Sequence, residues 1–135
     1  MKIKNLVFDE KEILELYLDN GWYAYTEEKD KLFNGIKNSL DVFAAYEDGK
    51  LVGLLRTIGD KFTIIYIQDV LIKKEYQGQG IGTQLVQLVL NKYKDVRQII
   101  LSADKKDSLR GFYEPLGFKE YRDMNVVGFY YKKDK

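Results

Sequence analysis

A stretch just past the middle of the chain sets the tightest limit on its fold: residues 76–86 read YQGQGIGTQLV. Glycines stand at 78, 80 and 82, an apolar β-branched run precedes them from Phe62 to Ile72, and a helical stripe of Leu85, Val86, Leu88, Val89 and Tyr93 follows. The run is apolar at nearly every position, as a central strand covered on both faces is. A buried strand, a glycine turn and an amphipathic helix in that order call for a layered α/β domain. The loop also implies a chemistry. Glycine takes positive φ and lets an anion reach the backbone with no Cβ in the way, and a helix N-terminus adds partial positive charge. A diphosphate is the natural occupant, although a ligand-free turn shares the pattern. The spacing is not that of a nucleotide P-loop, because no Gly-Lys-Ser/Thr follows. Nor does it match the dinucleotide fingerprint, which needs an early strand and a wider third glycine.

The rest of the chain fits around that centre. Ile3 to Phe8 reads as a first strand, and Glu10 to Leu18 as a helix ended by Asn20-Gly21. Thr26, followed by two glutamates, predicts the N-cap of a second helix running to about Asn38. Val42 to Tyr46 and Lys50 to Ile58 read as a hairpin about Asp48-Gly49. After the helix from Thr83 to Lys94 come a strand over Val96 to Ala103 and a short helix over Ser108 to Leu116. Phe118 to Tyr121 and Val126 to Tyr131 read as closing strands. The reading is an α/β (α+β) fold, one domain over residues 1–135, with a mixed, mostly antiparallel sheet of about seven strands flanked by about four helices.

Composition removes several functions. Lys and Arg number 22 against 21 Asp and Glu, with no basic stripe, so a nucleic-acid partner is not expected. No stretch reaches the ~20 apolar residues that span a bilayer, and the N-terminus has no apolar signal core, so a cytoplasmic location is expected. With no Cys and no His, a metal site is not expected, and chemistry falls to carboxylates, Tyr, Ser/Thr or backbone.

DVLIKKEYQGQGIGTQLV resembles the acetyl-CoA signature of the GNAT superfamily of N-acetyltransferases: Gln or Arg, two residues, Gly, one residue, then Gly or Ala. Gln77, Gly80 and Gly82 meet it. Downstream, GFYEPLGFKEY from Gly111 to Tyr121 is similar to the FYEKLGF segment that closes the family's core. The two segments stand in family order with a strand between them. The resemblance implies acetyl-CoA as co-substrate and a GNAT-like sheet whose fourth and fifth strands splay apart, with Val70–Ile72 and Ile99–Ala103 on either side of the opening. It implies that the backbone amides of Gln77, Gly78, Gln79, Gly80, Ile81, Gly82 and Thr83 hold the pyrophosphate. The main chain of Leu71 and Ile72 pairs with the pantetheine arm, and Lys73, Lys74, Lys106 and Arg110 are candidates for the 3′-phosphate. It further implies a homodimer through shared edge strands, for which the apolar VVGFYYK stretch is suited. Many family members carry Asn seven residues before the motif Tyr, where this chain has Lys106.

The reaction implied is transfer of acetyl from acetyl-CoA to a primary amine of a small molecule or peptide, by direct attack, since no Cys is present to form an acyl-thioester. The family places a Tyr where Tyr113 stands, as the acid that protonates the departing thiolate; packing beside Phe112 and Phe118 explains the same residue. Asp69 is the carboxylate inside the otherwise apolar TIIYIQDVLI, either a general base or a structural group at a strand irregularity. Trp22, Tyr23 and Tyr25 form either a wall of the acceptor pocket or a lid packed on the sheet. A non-catalytic acyl-CoA-binding or regulatory module is the alternative class; it keeps the glycine loop and has no use for Tyr113 and Asp69.

Overall fold

The computed structural model describes residues 1–133. They form two compact units, one over Met1–Ser102 and one beginning at Ala103. Among the described residues no helix is long and apolar enough to cross a membrane.

The first unit is built on a five-stranded sheet in the order β1-β2-β3-β4-β5: β1 Lys2–Asn5, β2 Asp41–Glu47, β3 Lys50–Gly59, β4 Ile64–Ile72 and β5 Gln98–Leu101. All neighbours are antiparallel except β4 and β5, which run parallel. The β2–β3 hairpin turns at Asp48-Gly49, both at positive φ, as a two-residue turn matched to strand twist requires. The parallel pair is joined through α4 (Ile81–Lys92), the crossover that a parallel connection needs.

Helices α1 (Glu10–Asp19), α2 (Tyr23–Glu27) and α3 (Lys29–Lys37) lie between β1 and β2 in the chain. Asp9 caps α1, accepting from the Glu12 N–H at 3.0 Å. Ile13, Leu16 and Tyr17 of α1 join Leu32, Phe33 and Ile36 of α3 in a core over Ala44, Leu54 and Leu71 of the sheet. The helical apolar spacing and the strand alternation thus meet on one face. The other face takes α4, whose Ile81, Leu85, Val86 and Val89 are buried.

The sequence reading and the structure agree on class and differ in elements. The helix expected from Thr26 to Asn38 is two helices, divided at Glu28, and Thr26 is no N-cap. It lies inside α2 and its Oγ1 donates to the Tyr23 carbonyl at 3.1 Å. In the second unit, α5 (Asp107–Tyr113) leads into a 3₁₀ turn over Glu114–Leu116. The closing strands expected over Phe118–Tyr121 and Val126–Tyr131 are not formed among the described residues. Tyr121–Met124 is a 3₁₀ turn, and Val127, Phe129, Tyr130 and Tyr131 are exposed. A β-branched and aromatic run becomes a strand only where a neighbour pairs with it, and composition carries no information on that neighbour. The sheet accordingly has five strands, not seven.

Candidate active site

β4 and β5 pair only from Ile64↔Gln98 to Ile67↔Leu101. Beyond Ile67, β4 continues to Ile72 against β3 alone, so among the described residues no strand pairs with its other edge. The antiparallel register decides which groups face that opening. The Lys73 N–H donates to the Val52 carbonyl at 2.8 Å, so Leu71 and Asp69 also turn their peptide groups toward β3. Val70 and Ile72 turn theirs outward. The Ile72 carbonyl is already held by two side-chain amides, Asn20 Nδ2 at 3.1 Å and Gln77 Nε2 at 3.0 Å.

A 3₁₀ turn over Lys74–Tyr76 leads from this edge into the glycine loop. Gly78 and Gly80 have φ of +79° and +85°, a region that residues with a Cβ enter at a cost of roughly 1–2 kcal/mol. Their conformations bring successive backbone N–H groups to the start of α4. The first of these to find an acceptor is that of Gln84, on the Gly80 carbonyl at 3.0 Å; among the described residues, the amides of Gly78 to Thr83 have none. Unpaired amides at a helix N-terminus are a ready site for an anion.

Asp69 lies where the sheet forks. The β3–β4 register slips between Arg56↔Asp69 and Thr57↔Ile67, leaving Gln68 as an extra residue on β4. A bulge re-aims side chains, and here Gln68 and Asp69 both reach the Tyr25 hydroxyl, Gln68 Nε2 donating to it and the hydroxyl donating to Asp69 Oδ1, each at 3.2 Å. Asp69 Oδ2 accepts from Arg56 Nε at 2.5 Å and from the Tyr17 hydroxyl at 2.8 Å. Asp69 and Arg56 are both buried, at 2% and 7% exposure. Burial works against the Arg56 charge, and the adjacent carboxylate outweighs it, so the guanidinium pKa rises. Burial, reinforced by the Asp69 charge, likewise pushes the Tyr17 phenol above its ordinary value. Trp22 and Tyr25 pack edge-on or tilted against Tyr17 and each other at 5.4–5.9 Å, half-buried against the core, whereas Tyr23 is exposed.

In the second unit the Tyr113 ring packs edge-on against Phe112 and Phe118, and among the described residues its hydroxyl has no hydrogen-bond partner. Burial raises its pKa, so the phenol holds its proton at neutral pH. Arg110 is committed locally: its guanidinium meets Glu114, Glu120 and Asp123 at 3.0, 2.9 and 3.5 Å. These three carboxylates converge on one arginine, which offsets part of their charge. Lys106 stands immediately before α5 and gives no side-chain cap there, a position that Asn fills well.

A family model described as an acetyltransferase (GNAT) domain matches residues 9–128. The chain belongs to the GNAT acetyltransferases. A GNAT-family acetyltransferase of Streptococcus pneumoniae TIGR4 superposes with a TM-score of 0.88 at 27% identity, over 99% of this chain and 98% of that one. The PaiA N-acetyltransferase of Thermoplasma acidophilum, solved in complex with coenzyme A, shares the fold with a TM-score of 0.71 at 19% identity, over 88% of this chain and 91% of that one. By sequence, a GCN5-related N-acetyltransferase 2, chloroplastic, of Arabidopsis thaliana is 35% identical over 89 residues, which is 64% of this chain and 34% of that protein. The chain spans between about a third and seven tenths of the length of the curated relatives it matches.

Within this GNAT chain the residues that sequence reasoning missed are Arg56 and Tyr17, which bond Asp69, and Asn20, whose amide holds the Ile72 carbonyl. Arg56 had a legible signal. It is the charged residue inside the apolar run LVGLLRTI, as Asp69 is in its own strand, and two opposite charges in apolar strands ask to be paired. Tyr17 sits at a core position of α1, where nothing local distinguishes a ring that packs from a hydroxyl that bonds.

Proposed function

We propose that this chain is an N-acetyltransferase that moves the acetyl group of acetyl-CoA to a primary amine of a small molecule or peptide. The observation that carries the reading is the run of acceptor-free amides from Gly78 to Thr83 at the start of α4, beside the open edge of β4. Such donors suit a pyrophosphate. The resemblance implied that the arm pairs with Leu71 and Ile72, but Leu71 is turned toward β3, so a coenzyme arm along Val70 and Ile72 would extend the sheet as one more short strand. Membership in the GNAT family and the coenzyme A bound by the Thermoplasma relative support the same assignment.

An alkyl amine with a pKa near ~10.4 is mostly ammonium at neutral pH, and neutralising it costs roughly 4–5 kcal/mol. The amine nitrogen attacks the thioester carbon, the C–N bond forms and the C–S bond breaks. Tyr113, neutral because burial raises its pKa, gives its proton to the departing thiolate. Asp69 takes the ammonium proton. Both its oxygens are occupied, so the path runs through the Tyr25 hydroxyl, which donates to Asp69 Oδ1. The aromatic surface of Trp22, Tyr23 and Tyr25 forms the acceptor wall. The homodimer belongs to the same proposal, with the exposed Phe129, Tyr130 and Tyr131 at its contact; sedimentation over a concentration series tests it.

Calorimetric titration with acetyl-CoA tests the central reading. Saturable binding by the wild type is expected, with loss of binding in Gly80→Glu, whose carboxylate would stand among the amides. Far-UV circular dichroism checks that the variant is folded. A wild-type protein that does not bind acetyl-CoA sinks the reading. Binding without thiol release across a panel of primary amines would favour the acyl-CoA-binding module instead.

A further inference from the structure

α1 ends in a way its own sequence does not explain. Its last residue is Asp19, with no basic residue in the last turn, and an acidic side chain at a helix C-terminus opposes the helix dipole. Asn20 follows at the C-cap. Both side chains are spent on the far end of β4. Asp19 Oδ2 accepts from the Lys74 N–H at 2.8 Å, and Asn20 Nδ2 donates to the Ile72 carbonyl at 3.1 Å as well as to its own helix at the Leu16 carbonyl, 3.2 Å away. Gln77, the first residue of the glycine signature, donates to that same Ile72 carbonyl. With the Lys73 N–H on the Val52 carbonyl, the peptide groups on either side of Lys73 are all held where the strand exits into the loop. A carbonyl oxygen has two lone pairs, so Asn20 and Gln77 together saturate Ile72.

The same helical segment grips the other end of the open stretch, where Tyr17 and Tyr25 donate to Asp69. One segment, α1 with α2, therefore clamps β4 at Asp69 and again at Ile72–Lys74. The backbone between those points is the part of β4 that no second strand covers.

We infer that Asp19 and Asn20 are positioning residues of the coenzyme site, and that coenzyme on the open edge of β4 rigidifies the acceptor-side segment through them. This rests on the acetyl-CoA reading of the edge and loop. Asp19 and Asn20 hold the strand exit so that the outward Ile72 N–H and the loop amides stay aligned. A coenzyme that stiffens this backbone also stiffens the helix end bonded to it, and with it the aromatic wall that α1 and α2 carry.

No acceptor is needed for the test. Hydrogen–deuterium exchange of the full chain is measured with and without acetyl-CoA, alongside calorimetric titration of Asp19→Ala, Asp19→Asn and Asn20→Ala. In the wild type, acetyl-CoA should slow exchange in residues 16–28 as well as in the glycine loop. Each alanine variant should bind acetyl-CoA roughly threefold to tenfold more weakly, the size of the one hydrogen bond that each loses to the strand exit, and protect the loop without protecting 16–28. Asp19→Asn, whose amide oxygen still accepts from Lys74, should restore both. If the wild type binds acetyl-CoA and leaves residues 16–28 unprotected, this inference is overturned and the coenzyme reading stands, whether or not the variants fold. If the wild type does not bind acetyl-CoA, both fall.

Discussion

Asp69 and Tyr113 pose opposite problems at the level of single residues. Asp69 is bonded to everything near it: Arg56, Tyr17 and Tyr25 donate to its two oxygens. Deleting its carboxylate leaves the Arg56 charge buried and unpaired, so Asp69→Ala should lose about 3–5 kcal/mol of unfolding free energy in urea. Tyr25→Phe removes the two hydrogen bonds of that hydroxyl, the one it gives Asp69 and the one it takes from Gln68, and should lose about 1–2 kcal/mol, less than the carboxylate deletion. Equal losses would mean that the ion pair contributes no more than the phenol. Tyr113 is bonded to nothing through its hydroxyl among the described residues, so its phenol has little structural duty to confuse with a chemical one. Tyr113→Phe should leave stability and acetyl-CoA affinity near wild type and lower kcat by roughly 10²–10⁴ with whichever amine the thiol-release screen identifies. An unchanged kcat would remove Tyr113 from the mechanism.

Elements with a local cause were legible in the sequence, and elements that depend on a distant neighbour were not. The Asp48-Gly49 hairpin and the glycine loop rest on adjacent residues and formed where expected; the helix after the loop formed two residues earlier than expected, with Leu85, Val86 and Val89 buried, Ile81 joining them and Leu88 exposed. Thr26 looked like an N-cap because two glutamates follow it, yet Tyr25 is drawn to Asp69, more than forty positions away in the chain, and the helix starts before it. The coenzyme signature could be read from spacing alone, whereas the clamp by Asp19 and Asn20 needs the fold to bring α1 to the end of β4. Another long-range device joins three elements at Asp41, the first residue of β2. Its carboxylate accepts from Thr57 of β3 at 3.0 Å, from Lys92 of α4 at 2.7 Å and from the Tyr93 hydroxyl that follows α4. Lys92 is half exposed and adds little on its own. The Thr57 and Tyr93 bonds carry the link, and Asp41→Ala should destabilise the protein by about 1–3 kcal/mol in urea unfolding, where Lys92→Ala should cost under ~1 kcal/mol.

At the scale of the whole molecule, those two carboxylates tie the stability to pH through the phenols they hold. Tyr17 on Asp69 and Tyr93 on Asp41 are both buried, and burial followed by the carboxylate raises each pKa above the ordinary value of about 10. Above that pH an unfolded chain releases these protons while the folded one keeps them. The unfolded state then binds fewer protons, so unfolding free energy falls as pH rises, by about 1.4 kcal/mol per pH unit for each such tyrosine. Below about pH 10 both states hold the proton and this contribution is fully present. Asp41 acts at the opposite end: its pKa is lowered, burial opposing the shift and the bonds from Lys92, Tyr93 and Thr57 outweighing it. Its contribution is present above the usual carboxylate value and is lost as pH falls below that value through its own lowered pKa. Thermal melts should therefore be level in mid-range and steepen above about pH 10. Tyr17→Phe, having no phenol to ionise, should melt lower than wild type at neutral pH and show a shallower alkaline slope. A Tyr17→Phe slope as steep as wild type would assign the alkaline loss to other groups and leave the buried phenol on Asp69 without a role in it.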